Sequence, residues 1–333
     1  MIRRAVLLAL VLVLAACRAR GDRDPFTDSR IPPSLGLAFW PPQGWAWGLL
    51  QVEGDPAQRY GVAATVNQPP IAQMLMLPGY GGLAEEVFPA ANGLIARRIQ
   101  VWALDGVGQG GSGRIALPRD LGHVDSFIGD VQGIQQMVAQ VIRPAPRTPL
   151  VVVADGAAAP VLLRALQQGL PGVAAAVMTE PRLRAGRLRA RAPTAAPWTR
   201  WLRLGRYRAP GGNGWRRDGP AAAPSSAASV RHAWQLANPD LRMGGPSLGW
   251  LAAFDELIAA VRAEGWHGTR LPVLVLVDPA AAAGQRADAA DLCRALPHCT
   301  LARAAADQWP AREGDFAAGV ASAAALPITG PGR

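Results

Sequence analysis

The chain has 333 residues, of which 50% are hydrophobic and 17% are charged. This apolar content is enough for a large buried core, so the composition excludes a chain that is disordered throughout. All 34 basic residues are arginine, and the formal net charge is +10. Eleven of these arginines lie within residues 182–217, and such a run indicates contact with an anionic partner.

The first sixteen residues have the layout of an export signal. Arg3 and Arg4 precede an apolar run over residues 5–14, and the small residues Ala15 and Ala16 follow it. The run is too short to span a bilayer. An exported chain does not meet nucleic acid, so we expect its anionic partner to be a lipid headgroup or an acidic glycolipid.

Residues 14–17 resemble the bacterial lipobox, whose cysteine is acylated and becomes the first residue of the mature lipoprotein. The resemblance implies that residues 1–16 are removed and that acyl chains such as palmitate on Cys17 anchor the protein to the bilayer. Arg18 stands where many lipoproteins retained at the inner membrane have aspartate. We therefore expect a cell-envelope protein at the outer membrane, facing the periplasm. A buried strand or an ordinary signal helix is the alternative interpretation.

Residues 17–45 are polar and rich in proline, which predicts a tether. The first part of the folded core follows over residues 46–180, where short apolar runs alternate with longer helical patterns. Strands are predicted over 61–66, 71–77, 99–104, 150–154 and 173–179, and helices over 84–98, 124–142 and 157–168. This alternation predicts an α/β fold with a mostly parallel central sheet flanked by helices.

Residues 181–246 interrupt the pattern with a stretch rich in arginine, proline and glycine. The pattern resumes over residues 247–333, so we interpret the interruption as an insertion into one domain. In the second part of the core, helices are predicted over 248–263, 286–296 and 316–324, and strands over 272–277 and near residue 300.

Cys293 and Cys299 are the cysteines that remain beside Cys17, and in an oxidising compartment this pair is expected to form a disulfide. The four histidines are scattered along the sequence, so we expect neither a metal site nor another cofactor. The sequence does not indicate an oligomeric state.

Three segments resemble motifs of the α/β-hydrolase fold, specifically its monoacylglycerol lipase and lysophospholipase branch, which is also described as serine aminopeptidase-like. Residues 77–82 resemble the oxyanion loop of that family, residues 102–113 its Asp-x-Arg-Gly-His-Gly-x-Ser segment, and residues 123–127 the start of the helix that follows. Residues 238–251 are similar to its cap, the segment that covers the cleft. The resemblance implies an α/β-hydrolase core with an inserted cap and, if the chain is active, a carboxylic ester hydrolase of the lysophospholipase or monoacylglycerol lipase type.

The catalytic triad that the resemblance implies is missing at all three matching positions. The family places its serine on a tight strand-to-helix turn between small residues, and Gly156 matches that serine. Ala281 matches the acid, and Asp307 matches the histidine base. Each role in nucleophilic catalysis is therefore vacant, which predicts an inactive family member that acts as a binding or scaffolding module.

Two alternatives remain open. The first is an esterase or lysophospholipase with displaced catalytic groups, for which Asp155, Asp307 and His232 are the candidates. A shift of one residue would make Asp155 the nucleophile, as in haloalkane dehalogenases, although Val153 would then occupy a position that requires a small residue. The second is a carrier of a lipid or small ligand in the same cleft. We expect His123 to have a structural hydrogen-bonding role.

Two surfaces are candidates for binding without hydrolysis. The backbone N–H groups of Tyr80, Gly81 and Ala157 match the oxyanion loop and could hold a carboxylate or phosphate, although the glycine-rich turn is also explained by local geometry. The insertion carries a mixture of indole and guanidinium groups suited to a membrane interface or an anion. Its candidate contacts are Trp198, Arg200, Trp201, Arg203 and Arg206.

Overall fold

A computed structural model describes residues 24–65, 68–184, 204–220, 226–266 and 270–325. Its sheet has eight strands in the order β1-β2-β4-β3-β5-β6-β7-β8. They are β1 (Ala46–Leu50), β2 (Gln58–Ala63), β3 (Ala72–Leu77), β4 (Ile99–Leu104), β5 (Leu150–Asp155), β6 (Val173–Thr179), β7 (Val273–Val277) and β8 (Cys299–Arg303). Strand β2 is antiparallel to both of its neighbours, and the other pairs are parallel.

Helices cover both faces of the sheet, as parallel strands require. They are α1 (Phe88–Ala96), α2 (Ile128–Gln136), α3 (Ala158–Gln167), α4 (Ala227–Ala237), α5 (Leu248–Glu264), α6 (Ala283–Ala295) and α7 (Trp309–Ala325). The larger core cluster joins the sheet to α2, α3, α5 and α6, while a second cluster joins the opposite face to α1 and α7. The α/β-hydrolase architecture expected from the sequence is confirmed.

Short helical segments of other types connect these elements. Helix α2 continues as a π-helix over Met137–Ile142. The 3₁₀ segments are Leu37–Phe39, Ala84–Val87, Leu204–Arg206, Pro239–Leu241 and Ala306–Gln308. None of the helices within the described ranges is both long enough and apolar enough to cross a membrane.

The described part of the predicted tether, residues 24–45, differs from the expectation because it contacts the folded body. The backbone N–H of Phe26 donates to the carbonyl of Gly111 at 3.0 Å, and the N–H of Arg30 donates to the Asn238 side chain at 2.7 Å. This segment therefore covers the body, and Cys17 lies outside the described residues.

Several boundaries also differ from those predicted. The apolar pattern placed the helix start at residue 124, but α2 begins at Ile128 because residues 123–127 form a loop that holds buried His123 and Phe127. Strand β1 and helix α4 had no sequence prediction. Strand β1 lies at the edge of the sheet and has only one fully buried residue, Leu50, so its apolar periodicity is weak. The predicted disulfide between Cys293 and Cys299 is present and joins α6 to the first residue of β8.

Candidate functional site

Gly156 occupies the tight turn between β5 and α3. Its φ is +48°, in the left-handed region that side chains rarely adopt. A Cβ built on Gly156 would have the Nε atom of Arg182 as its nearest neighbour at 3.6 Å, which is an ordinary contact. The turn therefore has the geometry and the space for a nucleophile, but this sequence supplies no side chain there.

The other two triad-matching positions also follow parallel strands, so they lie at the same edge of the sheet as Gly156. Ala281 is in the turn after β7, where its N–H donates to the carbonyl of Asp278 at 3.0 Å. The Asp278 carboxylate accepts from the N–H of Ala280 at 2.7 Å and that of Ala306 at 3.2 Å, which agrees with a role in holding the turn. Asp307 is exposed in the 3₁₀ segment after β8.

Asp155 is the last residue of β5, so it is not at the turn. Its Oδ1 accepts a 2.9 Å hydrogen bond from the Thr179 hydroxyl, and its carboxylate also accepts from the N–H of Gly79. Burial raises the pKa of Asp155 above its ordinary value, against the lowering effect of these hydrogen bonds. The positive φ belongs to Gly156, so the one-residue shift that would make Asp155 the nucleophile is contradicted.

The oxyanion-like loop follows β3 and closely approaches the turn after β5. A Cβ on Gly79 would lie 2.9 Å from both the backbone oxygen and Oδ2 of Asp155, so this approach requires glycine. The N–H of Gly81 already donates to Oε1 of Gln109 at 2.8 Å, which removes Gly81 from the predicted donors. The N–H groups of Tyr80 and Ala157 donate to no other group of the described residues. Two of the three predicted donors thus remain.

A buried ion network fixes this loop to the neighbouring strands. Arg59 on β2 lies between Glu85 and Asp105, with N–O distances of 2.8 and 2.6 Å, and all three side chains are fully buried. Asp105 also accepts from the N–H of Ala84 and that of Gly111, each at 2.9 Å. The network therefore joins the 3₁₀ segment Ala84–Val87, which follows the oxyanion-like loop, to the loop after β4 and holds the two in a single arrangement.

A serine, a histidine and an aspartate that are not at the triad-matching positions lie close together at the base of the insertion. Nδ1 of His123 lies 2.8 Å from the Ser247 hydroxyl, and Nε2 lies 3.3 Å from Oδ1 of Asp125. Ser247 is fully buried and accepts a 3.0 Å hydrogen bond from the N–H of Trp250, so it caps the N-terminus of α5. A nucleophile must be reachable by substrate, and the buried Ser247 instead supports the structural role expected for His123.

His232 lies on α4 and is engaged within the insertion. Its ring stacks on Trp215 with centroids 5.3 Å apart, and its Nε2 lies 3.1 Å from the carbonyl of Arg217. These contacts do not join it to Asp155 or Asp307, the other displaced candidates. Among the predicted cap contacts, Arg206 is exposed, while Trp198, Arg200, Trp201 and Arg203 lie outside the described residues.

A small cavity of about 40 Å³ lies under the oxyanion-like loop, between that loop, α2, α3 and α5. Gln58, Asp130 and Trp250 contribute polar groups to its lining, and each side chain is at most 7% exposed. Both polar atoms of the Gln58 amide, Oδ2 of Asp130 and Nε1 of Trp250 have no hydrogen-bond partner among the described residues. We call this site the polar cavity.

Burial raises the pKa of Asp130 to about 7, and the nearby negative charge of Asp55 adds to the increase. Oδ1 of Asp130 accepts from the N–H of Val107 at 2.9 Å, which lowers the pKa in part. Sequence reasoning missed the polar cavity. The available signal was a polar residue on an otherwise apolar surface, because Asp130 lies three residues after Phe127 and four before Ile134 on the buried side of α2.

Comparisons with known proteins agree with this fold. The family model described as serine aminopeptidase, S33, matches residues 68–306. A soluble variant of monoglyceride lipase from Saccharomyces cerevisiae, solved with a substrate analog, is similar with a TM-score of 0.61 and 13% identity over 82% of this chain and 94% of that one. No curated protein sequence matches the chain significantly.

Two further solved structures show the range of the similarity. A thermostable carboxyl esterase from Bacillus coagulans, in complex with glycerol, has a TM-score of 0.63 and 12% identity over 84% of this chain and 100% of that one. A haloalkane dehalogenase variant from Bradyrhizobium elkanii has a TM-score of 0.51 and 15% identity over 84% of this chain and 99% of that one. At such identities the likeness is one of fold.

Proposed function

The chain belongs to the serine aminopeptidase S33 family, and we propose that within this family it has lost ester hydrolysis and keeps its cleft as a binding module. The observation that carries the proposal is Gly156. The residue at the turn has the required positive φ, but it has no atom that could attack an acyl carbon.

The remaining positions support the same conclusion. Ala281 has no carboxylate to orient a base, and Asp307 places an exposed carboxylate where the family has its histidine base. The Tyr80 and Ala157 N–H groups are donors that can hold an anionic or carbonyl group without cleaving it.

Ester hydrolysis by displaced groups is the second candidate, and the likeness to a monoglyceride lipase and a carboxyl esterase favours it. Its catalytic groups would be Asp155, Asp307 or His232. The contacts described above weigh against it, because Asp155 is held by Thr179 and Gly79, while His232 is engaged with Trp215.

Turnover assays distinguish the two candidates. The full chain, extracted in detergent, is assayed with p-nitrophenyl butyrate and with lysophosphatidylcholine beside the variants Asp155→Asn, Asp307→Asn, His232→Gln and Ser247→Ala. We expect no turnover above heat-denatured protein in any of them. Wild-type turnover that one of these substitutions abolishes would establish hydrolysis and contradict the proposal.

We further propose that acylated Cys17 holds this module at the outer membrane, facing the periplasm. Within the insertion, Trp198, Arg200, Trp201, Arg203 and Arg206 would contact anionic lipid headgroups, because indole rings favour the headgroup level and guanidinium pairs with phosphate. We expect the chain with Cys17 replaced by Ser to sediment with phosphatidylglycerol vesicles, and to do so less when Arg200, Arg203 and Arg206 become Ala. Replacing Arg216 and Arg217 is the control, and an equal loss there would contradict a specific contact.

A further inference from the structure

The polar cavity contains four buried polar atoms that lack a partner among the described residues. The Gln58 amide lies against α2 at Gly133, where a Cβ would overlap the amide oxygen. Asp130 lies one turn earlier on the same helix, and the ring of Trp250 contacts Phe127 with centroids 5.5 Å apart. The three polar side chains therefore lie along one face of α2.

Leaving these groups without a partner is costly, since a buried polar group keeps its full desolvation penalty when it makes no hydrogen bond. The side chains in the cavity that lack a partner offer two donor groups, the Gln58 Nε2 amide and the Trp250 Nε1 N–H. With Asp130 ionised, above its pKa of about 7, they also offer two acceptors, the Gln58 Oε1 and Asp130 Oδ2. A ligand that satisfies all four must bring two N–H or O–H donors and an acceptor with two lone pairs.

Charge and shape restrict which ligands can satisfy these four atoms. A carboxylate has no donor and would face Asp130, while an ammonium has no acceptor for the Gln58 and Trp250 N–H groups. The Gln58 amide presents a donor and an acceptor side by side in one plane, which a second planar amide matches with two parallel hydrogen bonds. The 40 Å³ volume is room for about three water-sized atoms at ~10–15 Å³ each, the size of a carboxamide head.

We propose that the polar cavity binds the primary carboxamide head of a neutral ligand. The carbonyl oxygen accepts from Gln58 and Trp250, and the NH₂ group donates to Gln58 and Asp130. The inference rests on the proposed function to the extent that a bound ligand remains uncleaved.

The test measures binding of propionamide to the full chain by saturation-transfer NMR. We expect saturable binding that weakens about tenfold or more in Gln58→Met, which keeps the side-chain length and removes both amide atoms. Trp250→Phe removes one donor and weakens binding less. The control Gln132→Met changes an exposed glutamine of α2 and leaves affinity unchanged. Thermal unfolding of each variant confirms that it is folded.

Propionate and 1,2-propanediol are the matched ligands, and we expect both to bind about tenfold or more weakly. The inference is overturned if propionamide does not saturate, if Gln58→Met binds it as well as wild type does, or if the diol binds equally. It is likewise overturned if a crystal grown with propionamide contains only water in the cavity. None of these outcomes involves turnover, whereas release of ammonia from bound propionamide would contradict the proposed function and leave the site in place.

Discussion

Gly156 adopts a φ of +48° at the turn after β5, and a Cβ there would meet only Arg182 at an ordinary contact distance. The cost of adding a side chain at residue 156 therefore comes from backbone strain and not from a lack of space. The strain arises because a Cβ in the left-handed region comes close to the following carbonyl oxygen.

Gly156→Ser is expected to fold and to lower the free energy of unfolding by about 1 kcal/mol. It should remain without ester hydrolysis, because among the described residues no histidine atom lies within 4 Å of the Cβ position of residue 156. Urea unfolding and the p-nitrophenyl butyrate assay check both statements. Gly54→Ser is the matched control, because Gly54 also has a positive φ, 82°, in open space, and it should cost a similar free energy.

Asp130 predicts a pH dependence of stability. Its pKa in the folded protein is about 7, above the ordinary carboxyl value, so the folded state keeps a proton that the unfolded state loses as pH rises from about 4 to about 7. This residue's contribution therefore decreases stability as pH rises through that window.

Asp130→Asn should not show this part of the decrease in stability. The free energy of unfolding of the variant, relative to that of wild type, should therefore rise by about 2–4 kcal/mol from pH 4 to pH 8. Urea unfolding at both pH values measures the difference. A gap between the two proteins that is constant with pH would contradict the raised pKa.

The places of the three triad-matching residues in the fold could be predicted from the sequence because the family motifs fix the spacing after each strand. Gly156, Ala281 and Asp307 all follow the strands expected of them. The partner of the Gly81 N–H and the grouping of Gln58, Asp130 and Trp250 could not be predicted, because they depend on contacts between residues far apart in the sequence.

Among the elements, β2, β4 and the 3₁₀ segment Ala84–Val87 are joined by the Arg59 network. Arg59 also lies over the ring of Trp47 at 4.1 Å, which adds a cation–π contact from β1. Removing one member of a buried ion pair leaves its partner charged and desolvated.

Arg59→Met is therefore expected to lower the free energy of unfolding by about 3–5 kcal/mol. Arg97→Ala, which breaks the exposed pair with Asp315, should cost no more than about 1 kcal/mol. Chemical unfolding of both variants tests the contrast, and equal losses would show that burial of the Arg59 network does not matter.

The parallel strands were the elements that sequence patterns predicted best. Strands β4 and β6 occupy the predicted residues because continuous apolar runs are typical of strands buried on both faces. Strand β1 was missed because an edge strand has a weak pattern. Helix α4 was missed because the high arginine, proline and glycine content of the insertion obscured its helical period.

For the molecule as a whole, our proposal of binding at a membrane rests on the lipobox-like segment together with the residues Gly156, Ala281 and Asp307 at the triad-matching positions. Cys17→Ser should abolish incorporation of radiolabelled palmitate and move the protein from the membrane fraction to the soluble fraction of the cell envelope. Arg18→Asp, which keeps the cysteine, is the control that should preserve acylation. Palmitate incorporation in Cys17→Ser would contradict anchoring through this residue.

The most direct test of the central claim is intact-mass analysis of the full chain after treatment with a fluorophosphonate, which forms an adduct with an activated serine. Because Gly156 cannot react and Ser247 is buried, we predict that folded wild-type protein gains no mass. The variant Gly156→Ser/Ala281→Asp/Asp307→His tests whether the fold still supports the triad. An adduct on wild-type protein that is absent after heat denaturation would contradict the loss of hydrolytic function.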